Sequence, residues 1–166
     1  MADILCFSRN RCTSIEHVDD QTIRSTCRVQ DNLMDAYVEI MVKLPDLELI
    51  QAKGEIRRSP QGTDLIILDD LQKVAGSRVG PGIRKIIGSI VEHVPYAESV
   101  ATLLDECCNG VILSFARDVF LNAPQDKAGE KLFFANMVKA NPRLYNSCAA
   151  LTPDSPLMES LELDKN

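Results

Sequence analysis

The period of the hydrophobic pattern changes once along this chain, near Pro60, and that change constrains the fold more than any other feature. Before it, apolar residues alternate. In Tyr37–Leu44, Val38, Ile40, Val42 and Leu44 fall on one face, with Tyr37, Glu39, Met41 and Lys43 on the other. Successive side chains of extended backbone point to opposite faces, so this run predicts a strand with one buried face. Pro45-Asp46 then marks a turn. Leu49–Arg57 repeats the alternation, with Ile50, Ala52, Gly54 and Ile56 expected inward and Gln51, Lys53, Glu55 and Arg57 outward. Thr22–Gln30 sets Ile23, Ser25, Cys27 and Val29 against Arg24, Thr26 and Arg28. Its weaker apolar face suggests an edge strand. Ile4–Phe7 is a candidate for a further short strand. Short connections make these neighbours antiparallel.

After Pro60 the spacing becomes helical. Asp64–Ala75 predicts a helix with Thr63 as its N-cap and Gly76 just beyond its end. Pro81 is expected to open a second helix, lined by Ile83, Ile86, Ile87, Ile90 and Val94 and closed by Pro95. The longest predicted helix runs from Tyr96 to Phe120, with Val100, Leu104, Cys107, Val111 and Phe115 in one stripe. A short helix is expected over 128–139, with Leu132, Phe133 and Met137 inward. Strands first and helices afterwards predict an α+β fold: an antiparallel sheet of three or four strands in the N-terminal half, covered on one face by three or four helices from the C-terminal half. A chain of 166 residues is expected to form a single domain over 1–152. The acidic segment 153–166 is either a tail or an extended piece lying on the body.

Charge narrows the function. Lys and Arg number 18 against 24 Asp and Glu, for a net charge of −6 and a pI near 4.9. That field opposes a phosphate backbone, so nucleic acid is not an expected partner. No apolar run approaches the ~18 residues of a membrane span, and the N-terminal charge order is not that of a secretory signal. The expected location is the cytoplasm, and membrane is not an expected partner. Six cysteines without any Cys-x-x-Cys then read as reduced, buried side chains. Adjacent residues of a helix point about 100° apart, so Cys107-Cys108 suits packing better than joint metal binding. His17 is expected in a polar loop beside Glu16, Asp19 and Asp20, and His93 in the last turn of a helix. Gly80-Pro81-Gly82 before Arg84-Lys85 lacks the Gly-Lys-Ser/Thr of a phosphate loop and reads as a tight turn. Arg57 and Arg58 point to opposite faces of a strand, one to solvent and the other to an acid of the fold or an anionic ligand.

Three blocks together carry a family likeness: Ala52-Lys53-Gly54-Glu55-Ile56-Arg57-Arg58-Ser59-Pro60, Val74-Ala75-Gly76-Ser77-Arg78-Val79-Gly80-Pro81-Gly82, and Asn146-Ser147-Cys148-Ala149-Ala150-Leu151 with Asp154 after it. Over roughly residues 22–157 the chain resembles the bacterial domain-of-unknown-function family 2889. The layout also resembles, more loosely, iron–sulfur scaffold proteins of the IscU type. The family pattern implies a cysteine four residues after the proline, a Gly-Cys-Thr-His stretch at the start of the long helix, and the closing cysteine. Such a set would suit zinc or an iron–sulfur cluster. Here Asp64 follows Pro60, Tyr96-Ala97-Glu98-Ser99 stands at the helix start, and Cys148 alone matches. The resemblance therefore implies a scaffold that has lost most of its ligands, and no cofactor is evident.

Three functions stay open on these grounds. The first is a non-catalytic binding or accessory protein that holds a protein partner or small ligand around the helix starts at 64 and 96. Its candidate ligand-binding residues are Asp64, Glu98, Ser99, Cys148, Arg57 and Arg58. The second is a metal- or thiol-dependent enzyme, or a cofactor-assembly scaffold, using Cys148 with Asp64 and Glu98. The third is a structural subunit of a larger complex. A homodimer is compatible with each.

Overall fold

The structure, a computed structural model, describes residues 6–140, 142–146, 149–156 and 158. They gather into two compact units that divide after Ser114. The first unit holds five antiparallel strands paired in sequence order: β1 (Arg9–Asp19), β2 (Thr22–Asp31), β3 (Asp35–Lys43), β4 (Glu48–Arg58) and β5 (Ile66–Ile67). Helices follow the strands, so the α+β architecture is as expected, with five strands in place of three or four.

β1 is the main addition. The hydrophobic pattern does not reveal it, because only Thr13 and Ile15 are even half-buried. Backbone pairing defines it instead, from Arg9 opposite Asp31 to His17 opposite Ile23. His17 thus lies in a strand and not in a loop. With β1 outside it, β2 is an interior strand, which corrects its reading as an edge. Its weak inward face has a polar explanation: the buried Ser25 hydroxyl donates to the Cys107 carbonyl at 2.9 Å. Of the short strand expected at Ile4–Phe7, Cys6 and Phe7 are not in a strand, and residues 4 and 5 lie outside the described residues.

The inner face of the sheet carries Ile23, Cys27 and Val29 from β2, Ala36, Val38, Ile40 and Val42 from β3, and Leu49, Ala52 and Ile56 from β4, all buried. One assignment is reversed. Met41 pairs with Gln51, but Val42 pairs with Leu49. Ile50 is therefore the extra residue of a β-bulge, and the alternation slips by one. Leu49 becomes fully buried while Ile50 is 42% exposed.

Residues 64–75 do not form the expected α-helix. Ile66–Ile67 pairs with β4, and Asp69–Val74 makes a 3₁₀ turn. Leu68, Leu71 and Val74 are buried, a spacing of three that matches the three residues per turn of a 3₁₀ helix. Gly54 makes room for this segment, since a Cβ there would lie 2.9 Å from Leu71 Cδ1.

The helices are α1 (Ile83–Val91), α2 (Ala97–Asn122) and α3 (Lys127–Ala140). α1 starts two residues after Pro81, because Gly82 adopts φ +90° as its N-cap, a conformation that glycine alone takes without strain. The Val100, Leu104, Cys107 and Val111 stripe of α2 is fully buried, joined by Leu103 and Cys108. Phe115 leaves the stripe: it is 37% exposed and belongs to the second unit. Gly110 brings the α2 backbone onto β1, where a Cβ would lie 2.8 Å from Ile15 Cδ1. Arg84 of α1 binds Asp105 of α2 through two hydrogen bonds, at 3.0 and 2.8 Å. In the second unit, Val138 of α3 packs with Leu151 and Met158, and with half-buried Phe134, Met137, Leu144 and Tyr145. Leu132, expected inward, is exposed. Ser155 is buried and its hydroxyl donates to the Ala150 carbonyl at 2.7 Å.

If α2 is the roof of this sheet, Leu104→Ala will lower stability by roughly 2–5 kcal/mol through the cavity it leaves. Gly110→Val will cost about 1–3 kcal/mol by forcing α2 off β1. Urea unfolding followed by circular dichroism measures both.

Candidate functional site

A cleft of about 180 Å³ opens between the ends of β1 and β2 and the first two turns of α2. Arg9 and Arg11 supply a cationic wall from β1, and α2 supplies the Ser99 and Thr102 hydroxyls with the Glu98 carboxylate. Val29, Met34 and Leu103, all buried, form the floor, and Asp31 stands at its side.

Asp31 is the structural centre of this region. Its side chain is only 1% exposed. Oδ1 accepts hydrogen bonds from the amides of Leu33 and Met34, at 2.8 and 2.7 Å, which closes the β2–β3 turn. Oδ2 accepts from Arg9 Nε at 2.8 Å, and the Asp31 carbonyl accepts from Arg58. Burial pushes the Asp31 carboxyl up, but the two amides and the Arg9 guanidinium outweigh it and hold it below its ordinary value. Arg9 is thereby fixed in the wall of the cleft. Arg11 is held more lightly, by one contact of 3.2 Å with Glu106.

Of the residues singled out from sequence, Glu98 and Ser99 meet in this cleft. Glu98 is exposed, and Ser99 half-buried. Asp64 does not line it; it is exposed, in the segment before β5, and heads no helix. The nearby Gln61 does reach the start of α2, accepting a 2.7 Å hydrogen bond from the Tyr96 hydroxyl. Arg58 serves the fold through the Asp31 carbonyl, and its buried Nε–H has no partner among the described residues. Arg57 lies on the opposite side of the sheet and donates to Glu55 at 2.6 Å. Cys148 lies outside the described residues, so the meeting of Cys148 with Asp64 and Glu98 does too. Among the described residues, no three His, Cys, Asp or Glu side chains gather as a metal-binding group.

Sequence reasoning missed Arg9, Arg11 and Asp31, the residues that shape the cleft. Arg9 and Arg11 share a face only because β1 is a strand, and β1 has no apolar alternation to announce it. Asp31 did carry a signal: an Asp before Asn32, between two strand-like runs, suits a side chain that closes a turn on the following amides.

The outer face of the sheet is a lattice of paired charges. Arg28 donates to both Asp35 oxygens, at 3.0 and 2.8 Å, and Lys53 meets Glu39 at 2.9 Å. Arg28 holds the Asp35 carboxyl below its usual range. Burial pushes Glu39 up, but Lys53 and the Tyr37 hydroxyl prevail and hold it low. A groove of about 290 Å³ crosses this face between Cys12, Arg28, Tyr37 and Arg57.

The buried thiols are unreactive by construction. Burial pushes Cys27 up, raises Cys108 to about 12 and raises Cys107 strongly. Cys12, by contrast, is exposed.

The described residues thus define an α+β protein with a small polar cleft at the head of its main helix, and no helix among them is long and apolar enough to cross a membrane. Comparison with family models finds no match, and neither do comparisons with curated proteins or with solved structures.

Two measurements follow from these electrostatics. The depressed carboxyls of Asp31, Asp35 and Glu39 bind protons less readily folded than unfolded. Their stabilisation is therefore complete above the ordinary carboxyl range and is lost as pH falls through the lower folded values. The urea midpoint will drop below about pH 4, and Asp31→Asn will flatten that drop while lowering stability at pH 7. At pH 8, iodoacetamide will modify Cys12 at least about 100 times faster than Cys27, Cys107 or Cys108, read by peptide mass spectrometry.

Proposed function

We propose that this chain is a non-catalytic binding or accessory protein that receives a small anionic ligand, or an acidic side chain of a partner, in the cleft at the head of α2. One observation carries the reading: Arg9, Arg11 and Ser99 converge on a single concavity with an apolar floor, where Asp31 is already held by Arg9 and Glu98 stands at the exposed rim. Positioned donors over apolar surface are the usual composition of a binding pocket. Its 180 Å³ is below the ~300–1,000 Å³ that encloses a drug-sized molecule, so the occupant is a few heavy atoms or one protruding side chain. Arg11 is the recognition residue, because its single long contact with Glu106 leaves most of its guanidinium donors for a ligand. Arg9 is spent on Asp31 and supplies field more than contact.

Buried thiols and an acidic surface suit a reducing cytoplasm. The alternative enzyme, with Cys148, Asp64 and Glu98 as its centre, draws no support from the described geometry, since Asp64 stands outside the cleft.

The test is a thermal-shift screen of small carboxylates and phosphates on the native chain and on Arg11→Ala, Ser99→Ala and Arg57→Ala. A ligand at about 100 times its Kd stabilises by roughly 2.7 kcal/mol, a shift of several degrees. That shift is expected to vanish in Arg11→Ala, to shrink in Ser99→Ala and to persist in Arg57→Ala. A ligand whose effect is lost in Arg57→Ala and kept in Arg11→Ala would move the site to the outer face and overturn the proposal.

A further inference from the structure

The two edges of the sheet are finished in different ways, and the difference points to a partner. At the β4 side the backbone is closed off. Leu68 N donates to the Gly54 carbonyl at 2.9 Å, and Gln72 Oε1 accepts from Ala52 N at 3.1 Å. Gly76 N donates to the Leu49 carbonyl, and Leu49 N to the Ser77 carbonyl, both at 2.8 Å. β5, outermost on this side, is only two residues long. Short edge strands and covering segments are how sheets avoid unwanted pairing.

The β1 edge has none of this. It is eleven residues long and contains neither proline nor lysine. Its bulge comes only at the end, between His17 and Asp19. Among the described residues, β2 is the only strand that pairs with it, and no other segment's backbone bonds to it. Nearly all of it is exposed. Such an edge is a ready template for another strand.

The charge order of β1 selects the occupant. Arg9 and Arg11 stand at its start, and Glu16 and Asp19 toward its end. Two copies running antiparallel about a two-fold axis at Ser14 lay the basic end of each strand along the acidic end of the other, a field between groups that keep their own partners Asp31, Glu106 and Arg24. A parallel copy would set like charges side by side, which opposes pairing. A symmetric pair uses the same patch on both chains, and this strand is complementary to its own reverse.

We propose that β1 is a homodimer interface, joining two sheets into one ten-stranded sheet through antiparallel β1–β1 pairing centred on Ser14. The two copies of Ser14 face each other at the axis. The outer-face grooves, each lined in part by Cys12 and Ser14, become neighbours across it. Arg9 and Arg11 belong to both β1 and the cleft lining, but Ser14, on the axis, is not among the cleft residues, so Ser14→Lys tests this interface apart from the ligand site.

Sedimentation velocity of the full chain over about 5–200 µM is the test, a range that covers micromolar dimers. The native chain is expected to dimerise, with its dissociation constant rising at least about tenfold between low salt and 0.5 M NaCl as the end-to-end charge pairing is screened. Ser14→Lys sets two ammonium groups together on the axis and is expected to give a monomer with unchanged circular dichroism. Gln51→Lys, on β4, is expected to remain dimeric. Hydrogen exchange on the native chain reads the same interface without a variant: β1 amides are expected to lose protection on dilution while β3 amides keep theirs. A native monomer across the range overturns the proposal. So does a folded Ser14→Lys chain that still dimerises, or β1 protection that is independent of concentration.

Discussion

An antiparallel sheet with one apolar face is unstable in water until that face is covered, and here α2 covers it. Val100, Leu104, Cys107 and Val111 supply the apolar stripe, and two small residues let the layers close. Gly110 brings the helix backbone against Ile15 and Thr13 of β1, and Gly54 admits Leu71 beneath the 3₁₀ turn. The one polar group turned inward from the middle of β2, Ser25, is satisfied by the helix itself through the Cys107 carbonyl. Burial of this kind, at roughly 25 cal/mol for each Å² of apolar surface, is what sets the register of β2, β3 and β4.

The cleft is a consequence of that packing. At the head of α2 the buried stripe gives way to Glu98, Ser99 and Thr102, while β1 and β2 end on Arg9, Arg11 and Asp31. Polar groups there meet across a gap instead of packing. Asp31 keeps the gap defined, because one buried carboxylate closes the β2–β3 turn and anchors Arg9, while its carbonyl holds Arg58. Much of the charge near the site is thus structural. The lightly held Arg11 is left as the group with capacity for a ligand.

Chemistry is also distributed unevenly between the sheet's faces. The inner face and α2 hold three cysteines whose burial keeps them as thiols. The outer face pairs Arg28 with Asp35, Lys53 with Glu39 and Arg24 with Glu16, so it is a solvated ionic surface. The exposed Arg24–Glu16 pair contributes little to stability, whereas the Asp35 and Glu39 carboxylates are buried against their partners. Together the pairs keep that face from competing with the inner one for the helix.

β2, β3 and most of β4, with the buried stripe of α2 up to Val111, were legible in the sequence, because burial of one face imposes a period that any reader of the chain can detect. Glu98 and Ser99 were legible as the head of a helix. What the pattern does not carry is pairing. β1 is a strand because β2 offers it hydrogen bonds, and its own side chains scarcely alternate. Leu49 and Ile50 exchange faces because of a bulge opposite Met41 and Val42, which exists only in the paired sheet. Leu68, Leu71 and Val74 satisfy a helical period and a 3₁₀ turn equally well, and contact with β4 over Gly54 decides between them. The sequence by itself determined which surfaces must be buried, since that depends on side-chain polarity alone. Tertiary structure decided that Arg9, Arg11 and Asp31 meet Glu98 and Ser99, because residues 67 to 90 positions apart become neighbours only when α2 lies down on the sheet.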